Sequence, residues 1–213
     1  HKIKPLRTHT KETQTSLTPD LALQYLKEGN ARFMQNIKAN RDLLEQANTT
    51  SAGQFPFAAI LSCIDSRTSA ELIFDQGLGD IFSIRIAGNI LNDDILASME
   101  YSCKLSGSKL IVVLGHTKCG AISGACDHVE LGHVTGLLNK INPAILLEKE
   151  TLEERNSTNK NFVKNVSKNN VLHVVHQVRE QSPILCDMEN TGQIKIVGGM
   201  YDLDNGQVTF FEE

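Results

Sequence analysis

The sequence predicts an α/β protein: a central, mostly parallel β-sheet flanked by helices, with a helical arm at its amino end and a strand and hairpin at its carboxyl end. Three observations carry this. Short aliphatic runs bounded by turn residues recur at 57–62, 81–86 and 109–114, as expected of strands buried on both faces. Helical segments separate them, and such alternation argues for parallel pairing. The chain then closes with a strand at 194–201, a strong Asp204-Asn205-Gly206 turn signal and a last strand at 208–211.

Taken in order, residues 1–17 are polar and aperiodic and read as an extended, flexible arm. Thr18-Pro19-Asp20 starts a helix, with Thr18 as its cap and Pro19 at the first helical position. Leu21, Leu23, Tyr25, Leu26, Phe33 and Met34 give it an apolar face. Residues 39–53 read as a helical turn and loop before the first strand. A short helix over 68–74 and a Gly77-Leu78-Gly79-Asp80 turn lead into the second strand. A helix over 93–105, closed by Gly107, precedes the third. Gly120-Ala121-Ile122-Ser123-Gly124-Ala125 suggests a helix packed close to the sheet, and 137–182 is mainly helical with a polar break near 155–161. Phe162, Val166, Val171, Leu172, Val174, Val175 and Val178 supply the apolar face of the last long helix. No internal repeat and no linker divides 18–213, which reads as one domain.

Length and composition narrow the function. The 213 residues suffice for one α/β domain with a sizeable core. No apolar segment is long enough to span a membrane. With 21 basic and 25 acidic residues, a net charge of −4 and no basic block, nucleic acid is not expected as a partner. Five cysteines is an odd number for a disulfide framework, so a reducing, cytoplasmic setting is expected. A secreted or periplasmic home stays open, because the chain starts at His1 rather than at a methionine.

The chemistry concentrates at two strand ends. Cys63-Ile64-Asp65-Ser66-Arg67 follows the first aliphatic run, and His116-Thr117-Lys118-Cys119-Gly120 follows the third. In open α/β sheets, ligand sites lie beyond the carboxyl ends of the strands. Cys63, His116 and Cys119 therefore can converge as two thiolates and an imidazole, the ligand set of a zinc site with its fourth position open. Cys103, Cys126 and Cys186 read as small buried hydrophobes. His173 and His176, three apart on a helix, read as packing residues rather than a second metal site. His128 and His133 are placed near the site mouth. Gly77-Leu78-Gly79 lacks the further glycine and the lysine of a phosphate loop.

These motifs, with Arg85-Ile86-Ala87-Gly88-Asn89 and Gly198-Gly199-Met200-Tyr201-Asp202-Leu203, resemble the β-class carbonic anhydrases, bacterial type, over roughly 18–213. The resemblance implies reversible hydration of carbon dioxide to bicarbonate and a proton by attack of zinc-bound hydroxide. It implies Zn2+ on Cys63, His116 and Cys119, and a catalytic pair of Asp65 and Arg67. If that pair breaks, Asp65 is close enough to become the fourth ligand of a closed site. Gln54, nine residues before Cys63, would contact bicarbonate, Phe82 and Ala87 would wall an apolar pocket, and the Gly120 N–H would face an anionic product. A homodimer is implied, with Gln54 and Phe82 reaching the partner's site, and a homotetramer built from it is common in such families. Some bacterial members carry a tryptophan three residues before the first cysteine, in an inhibitory bicarbonate site that Arg85 would share. Here Ile60 stands there and the chain has no tryptophan, which points to the open type. The rivals are a hydrolase of carbonyl sulfide or carbon disulfide on the same site, and a non-catalytic zinc-binding or thiol-sensing protein.

Two thiolates cancel more of a zinc ion's charge than three imidazoles would, so water bound there is less acidic. Hydration activity is expected to rise toward alkaline pH, and a measured acidic optimum would count against a two-thiolate site.

Overall fold

Five strands form one sheet in the order β2-β1-β3-β4-β5. They are β1 (Ala58–Ser62), β2 (Ile81–Arg85), β3 (Leu110–His116), β4 (Lys195–Tyr201) and β5 (Val208–Phe210). The first four run parallel, and β5 returns antiparallel to β4. The computed structural model describes residues 7–211. Every residue of β1 and β3 is buried, as their uninterrupted aliphatic runs require of strands covered on both faces.

Alternation along the strands sorts the core into two layers. Ala58, Ile60, Leu110, Val112 and Leu114 face Leu26, Ile73 and Phe74 from α2 (Pro19–Met34) and the segment around α4 (Ala70–Ile73). Leu61, Ile111, Val113 and Ile196 face Met99 of α5 (Asp93–Glu100), Val171, Val174 and Val178 of α9 (Lys160–Gln181) and Leu185 of α10 (Pro183–Asn190). The remaining helices are α1 (Lys11–Ser16), α3 (Leu43–Thr49), α6 (Gly120–Cys126), α7 (Gly132–Asn139) and α8 (Asn142–Leu147). No described helix is long and apolar enough to cross a membrane.

The amino-terminal segment departs from the extended reading. Residues 1–6 lie outside the described residues, but Thr10 caps α1 with a reciprocal side-chain and backbone pair. Gln14 is buried and donates at 2.7 Å to the carbonyls of Pro56 and Ser106, the His9 ring meets Phe57 edge-on, and Leu17 joins the core. A polar stretch can dock this way because its one long amide satisfies two buried carbonyls, a contact that no hydrophobic periodicity signals. The helix expected over 93–105 is α-helical only to Glu100 and finishes in a π-turn, Ser106 N–H donating to the Tyr101 carbonyl at 3.0 Å. Helix α10 lies beyond the 137–182 stretch expected to be helical, and α7 starts before it, at Gly132. The polar break before α9 is gathered by the buried carboxylate of Glu148, which accepts from Thr151, Arg155 and Asn165.

Asn30 ties α2 to α4 and to the closing hairpin. Buried in α2, it donates to the carbonyls of Ile73 and Gly206 at 3.2 and 2.8 Å and accepts from Val208 N–H at 2.8 Å. Asn30→Leu strands three buried backbone groups, each costing about 1–3 kcal/mol when unpaired. Urea denaturation at fixed protein concentration is expected to show a loss of about 3 kcal/mol or more. A wild-type midpoint would mean that these bonds contribute nothing.

Candidate metal centre

Strands β1 and β3 pair in register, Ser62 beside Leu114. Cys63 is the residue after β1, His116 the last of β3, and Cys119 the residue before α6, so the sheet delivers all three to one crevice. All three are buried, and their ligand atoms lie within 4.8 Å of one another. The two sulfurs are 3.9 Å apart, about twice a disulfide's bond length, so both are thiols. His116 Nδ1 sits 2.8 Å from the Thr117 carbonyl, so Nδ1 donates there and Nε2 is the ring's remaining ligand atom. That Nε2 is buried with no partner. An unpartnered imidazole nitrogen beside two thiols is a buried polar group needing an explanation, and a cation that takes sulfur and nitrogen supplies one.

The thiols already share negative charge. The Cys119 hydrogen bond pulls the Cys63 thiol down to about 4, against burial, helped by the neighbouring His116 imidazole and by Gly88 N–H. The same sulfur contact and burial push Cys119 up, and the first-turn N–H groups of Ala121 and Ile122 oppose this.

Hydrogen bonds to main chain make the Cys63–Arg67 turn rigid. Thr68, 1% exposed, donates its hydroxyl to the carbonyls of Cys63 and Asp65 at 3.0 and 2.9 Å. Arg85, from β2, donates to the same two carbonyls at 3.0 and 2.6 Å. Neither contact was legible beforehand. A threonine in that place is explained only once both carbonyls are seen to point inward, and Arg85 is committed to the turn. The second ligand loop is pinned too: Thr117 N–H donates to the Tyr201 carbonyl, and Leu203 N–H donates to the Thr117 hydroxyl. Lys118 takes a left-handed backbone at φ 57° and pairs with Asp204.

Asp65 and Arg67 meet as a planar two-pronged pair, Nε to Oδ1 at 2.9 Å and Nη2 to Oδ2 at 2.7 Å, and Arg67 N–H also donates to Oδ1. The Arg67 side-chain bonds, against a smaller burial effect, hold the Asp65 carboxyl well below the usual carboxylate range. Its Oδ2 lies 3.9 Å from His116 Nε2, so the carboxylate borders the ligand atoms while turned toward Arg67.

The other expected site residues divide. Gly88 N–H donates to Cys63 Sγ at 3.3 Å, which puts half-buried Ala87 beside the centre. Exposed Gly120 opens α6 next to Cys119. Gln54 and Phe82 do not join them within one chain. Gln54 precedes β1, a strand of roughly 16 Å, and Cys63 follows it. Phe82 pairs beside Ala59 on the edge strand and touches Tyr101. His128 and His133 are exposed, and His176 faces Glu180. Among the described residues, Cys63, His116 and Cys119 are the one group of three metal-type donors. Cys103 and Cys126 are buried, each thiol pushed up to about 11 by burial.

Comparison with known proteins adds the lineage. Residues 58–208 match the carbonic anhydrase family. The chain is 36% identical over 197 residues to a carbonic anhydrase of Mycolicibacterium smegmatis, covering 89% of this chain and 92% of the relative. It is 34% identical over 195 residues to carbonic anhydrase 2 of Mycobacterium tuberculosis, covering 89% and 91%. Among solved structures, the β-carbonic anhydrase CcaA superposes with a TM-score of 0.71 at 25% identity, covering 89% of this chain and 95% of that one.

Because Arg67 depresses it, Asp65 stays ionised as pH falls through the range where ordinary carboxylates protonate. A depressed carboxyl adds stability that is present above its unfolded value and is lost only as pH falls through the folded value. In Arg67→Leu, a carbon-detected NMR titration is expected to move the Asp65 midpoint up toward the ordinary value near 4. An unmoved midpoint would show that Arg67 does not hold the carboxylate.

Proposed function

The chain belongs to the β-class carbonic anhydrases, and from that membership we propose that it holds one zinc ion on Cys63, His116 and Cys119 and hydrates carbon dioxide reversibly to bicarbonate and a proton. The observation that carries the reading is the two-pronged Asp65–Arg67 pair set against a ligand group whose imidazole nitrogen is buried and unpartnered. Two thiolates and an imidazole suit zinc, which as a Lewis acid would bring the pKa of a water down toward neutrality.

The remaining work falls to the protein. Asp65, held ionised and aimed by Arg67, accepts the hydrogen bond of the attacking oxygen and so turns that oxygen's lone pair toward carbon dioxide. Because both carboxylate oxygens are bound by Arg67, Asp65 is kept from the fourth ligand position, the open arrangement. Ala87 offers a nonpolar wall to a nonpolar gas, and the Gly120 N–H faces the anionic product. Gln54 and Phe82 stand toward the amino ends of β1 and β2, which fits service to the site of a partner subunit in a homodimer, with a homotetramer as its further assembly. The cytoplasm is the compartment we assign.

Metal content and hydration rate, measured together, test this. Asp65→Ala is expected to retain zinc and lose about 10²–10⁴-fold in rate, the usual worth of a positioned acid–base group. Cys63→Ser is expected to lose the metal. Full activity in Asp65→Ala would overturn the mechanism. Turnover of carbonyl sulfide or carbon disulfide in place of carbon dioxide would reassign the substrate, and bound zinc with no turnover of any of them would leave a metal-binding or thiol-sensing protein.

A further inference from the structure

Helix α9 reaches the centre through one buried amide. Asn170 is 1% exposed, among Val166, Val171 and Val174, and its Nδ2 donates to the Gly88 carbonyl at 2.9 Å. The N–H of that same glycine donates to Cys63 Sγ at 3.3 Å. A single residue therefore joins an amide on the long helix to one of the ligand sulfurs.

The turn that carries this link is under tension. Gly88 stands at φ 68° and ψ 14°, and Asn89 follows it at φ 42°. Two successive left-handed residues need outside support, since a non-glycine residue pays to remain there. Packing supplies part of it: a Cβ on Gly88 would come within 3.0 Å of Ile141 and 3.3 Å of Ala121. Asn170 supplies the polar part. Its other atom, Oδ1, is buried without a partner. A core asparagine that leaves its oxygen unsatisfied is a poor structural choice, because an apolar side chain of similar size would fill the site without that cost. What an apolar side chain could not do is hold the Gly88 carbonyl.

We infer that Asn170 is a positioning residue for the metal centre: by fixing the Gly88 carbonyl it keeps the Gly88 N–H aimed at the Cys63 sulfur. Hydrogen bonds to a ligating thiolate draw charge from the sulfur and tune the ion it holds. The same bond orients Cys63, so Asn170 governs both how tightly the ion is held and how much charge the sulfur gives it. This rests on the zinc reading above.

The test compares the wild type with Asn170→Leu, which keeps the branched shape and removes the donor, and Asn170→Asp, which keeps the shape and places an acceptor against the carbonyl. Zinc affinity is read by competition with a chromophoric chelator, and the sulfur's donor strength by the thiolate-to-metal charge-transfer band of the cobalt(II) protein. Both variants are expected to bind zinc at least about tenfold more weakly, with the band moved to lower energy. A variant that unfolds at a lower temperature yet keeps the wild-type affinity and band would overturn the inference, because Asn170 would then serve the fold alone. If neither variant folds, the cadmium-113 form of the wild type decides: scalar coupling from the metal to the Gly88 amide proton together with slowed exchange of the Asn170 side-chain amide protons supports the link, and the absence of either overturns it. A wild type that binds no zinc would overturn the zinc reading first, and this inference with it.

Discussion

The parallel pairing of β1 with β3 is the constraint on which the rest depends. Ser62 beside Leu114 sets the carboxyl ends of the two strands level, and the chemical residues start there. Side chains alternate with a period of two, so a slip of one residue would turn the apolar side chains of β1 to the wrong layer. Leu61 would lose Ile111 and Val113, and Ile60 would lose Leu26 and Ile73 as neighbours. Fully burying a side chain of that size is worth about 1.5–3 kcal/mol. The register is thus fixed by the dry core, and the level of Cys63 against His116 follows from it.

The centre has a fixed back and a wet front. Behind it, Thr68 and Arg85 hold the Cys63 and Asp65 carbonyls, Gly88 N–H meets the Cys63 sulfur, and Thr117 fastens the His116 loop to the closing hairpin. In front, Arg67 is more than half exposed while Asp65 is mostly covered. The ligand atoms have little freedom, whereas the guanidinium that decides where the carboxylate turns stands at the solvent boundary. Fixed metal-type donors with one adjustable neighbour are what the proposed function would require of such a site.

Sequence and structure agree where the signal is local. The aliphatic runs of β1 and β3, the Thr18-Pro19 helix start and the Asp204-Asn205-Gly206 turn are each written in adjacent residues, and each is found close to its expected bounds. The three metal-type donors converge because two of them sit at the ends of neighbouring strands. What escaped depends on partners far along the chain. Gln14 looks like one more polar residue until its amide is seen between Pro56 and Ser106. Thr68 has no distinctive spacing, and Asn170 looks like a polar residue on a helix face until the Gly88 carbonyl is placed beneath it. The likeness to a known family names candidate site residues but carries no information about these contacts.

The central claim is that Arg67 keeps Asp65 beside the metal rather than on it. A crystal structure of the zinc-loaded protein near neutral pH tests this most directly. The account predicts zinc on two sulfurs and one imidazole nitrogen, with water in the fourth position and both Asp65 oxygens still paired to Arg67. An Asp65 carboxylate in that fourth position, with Arg67 released, would contradict it.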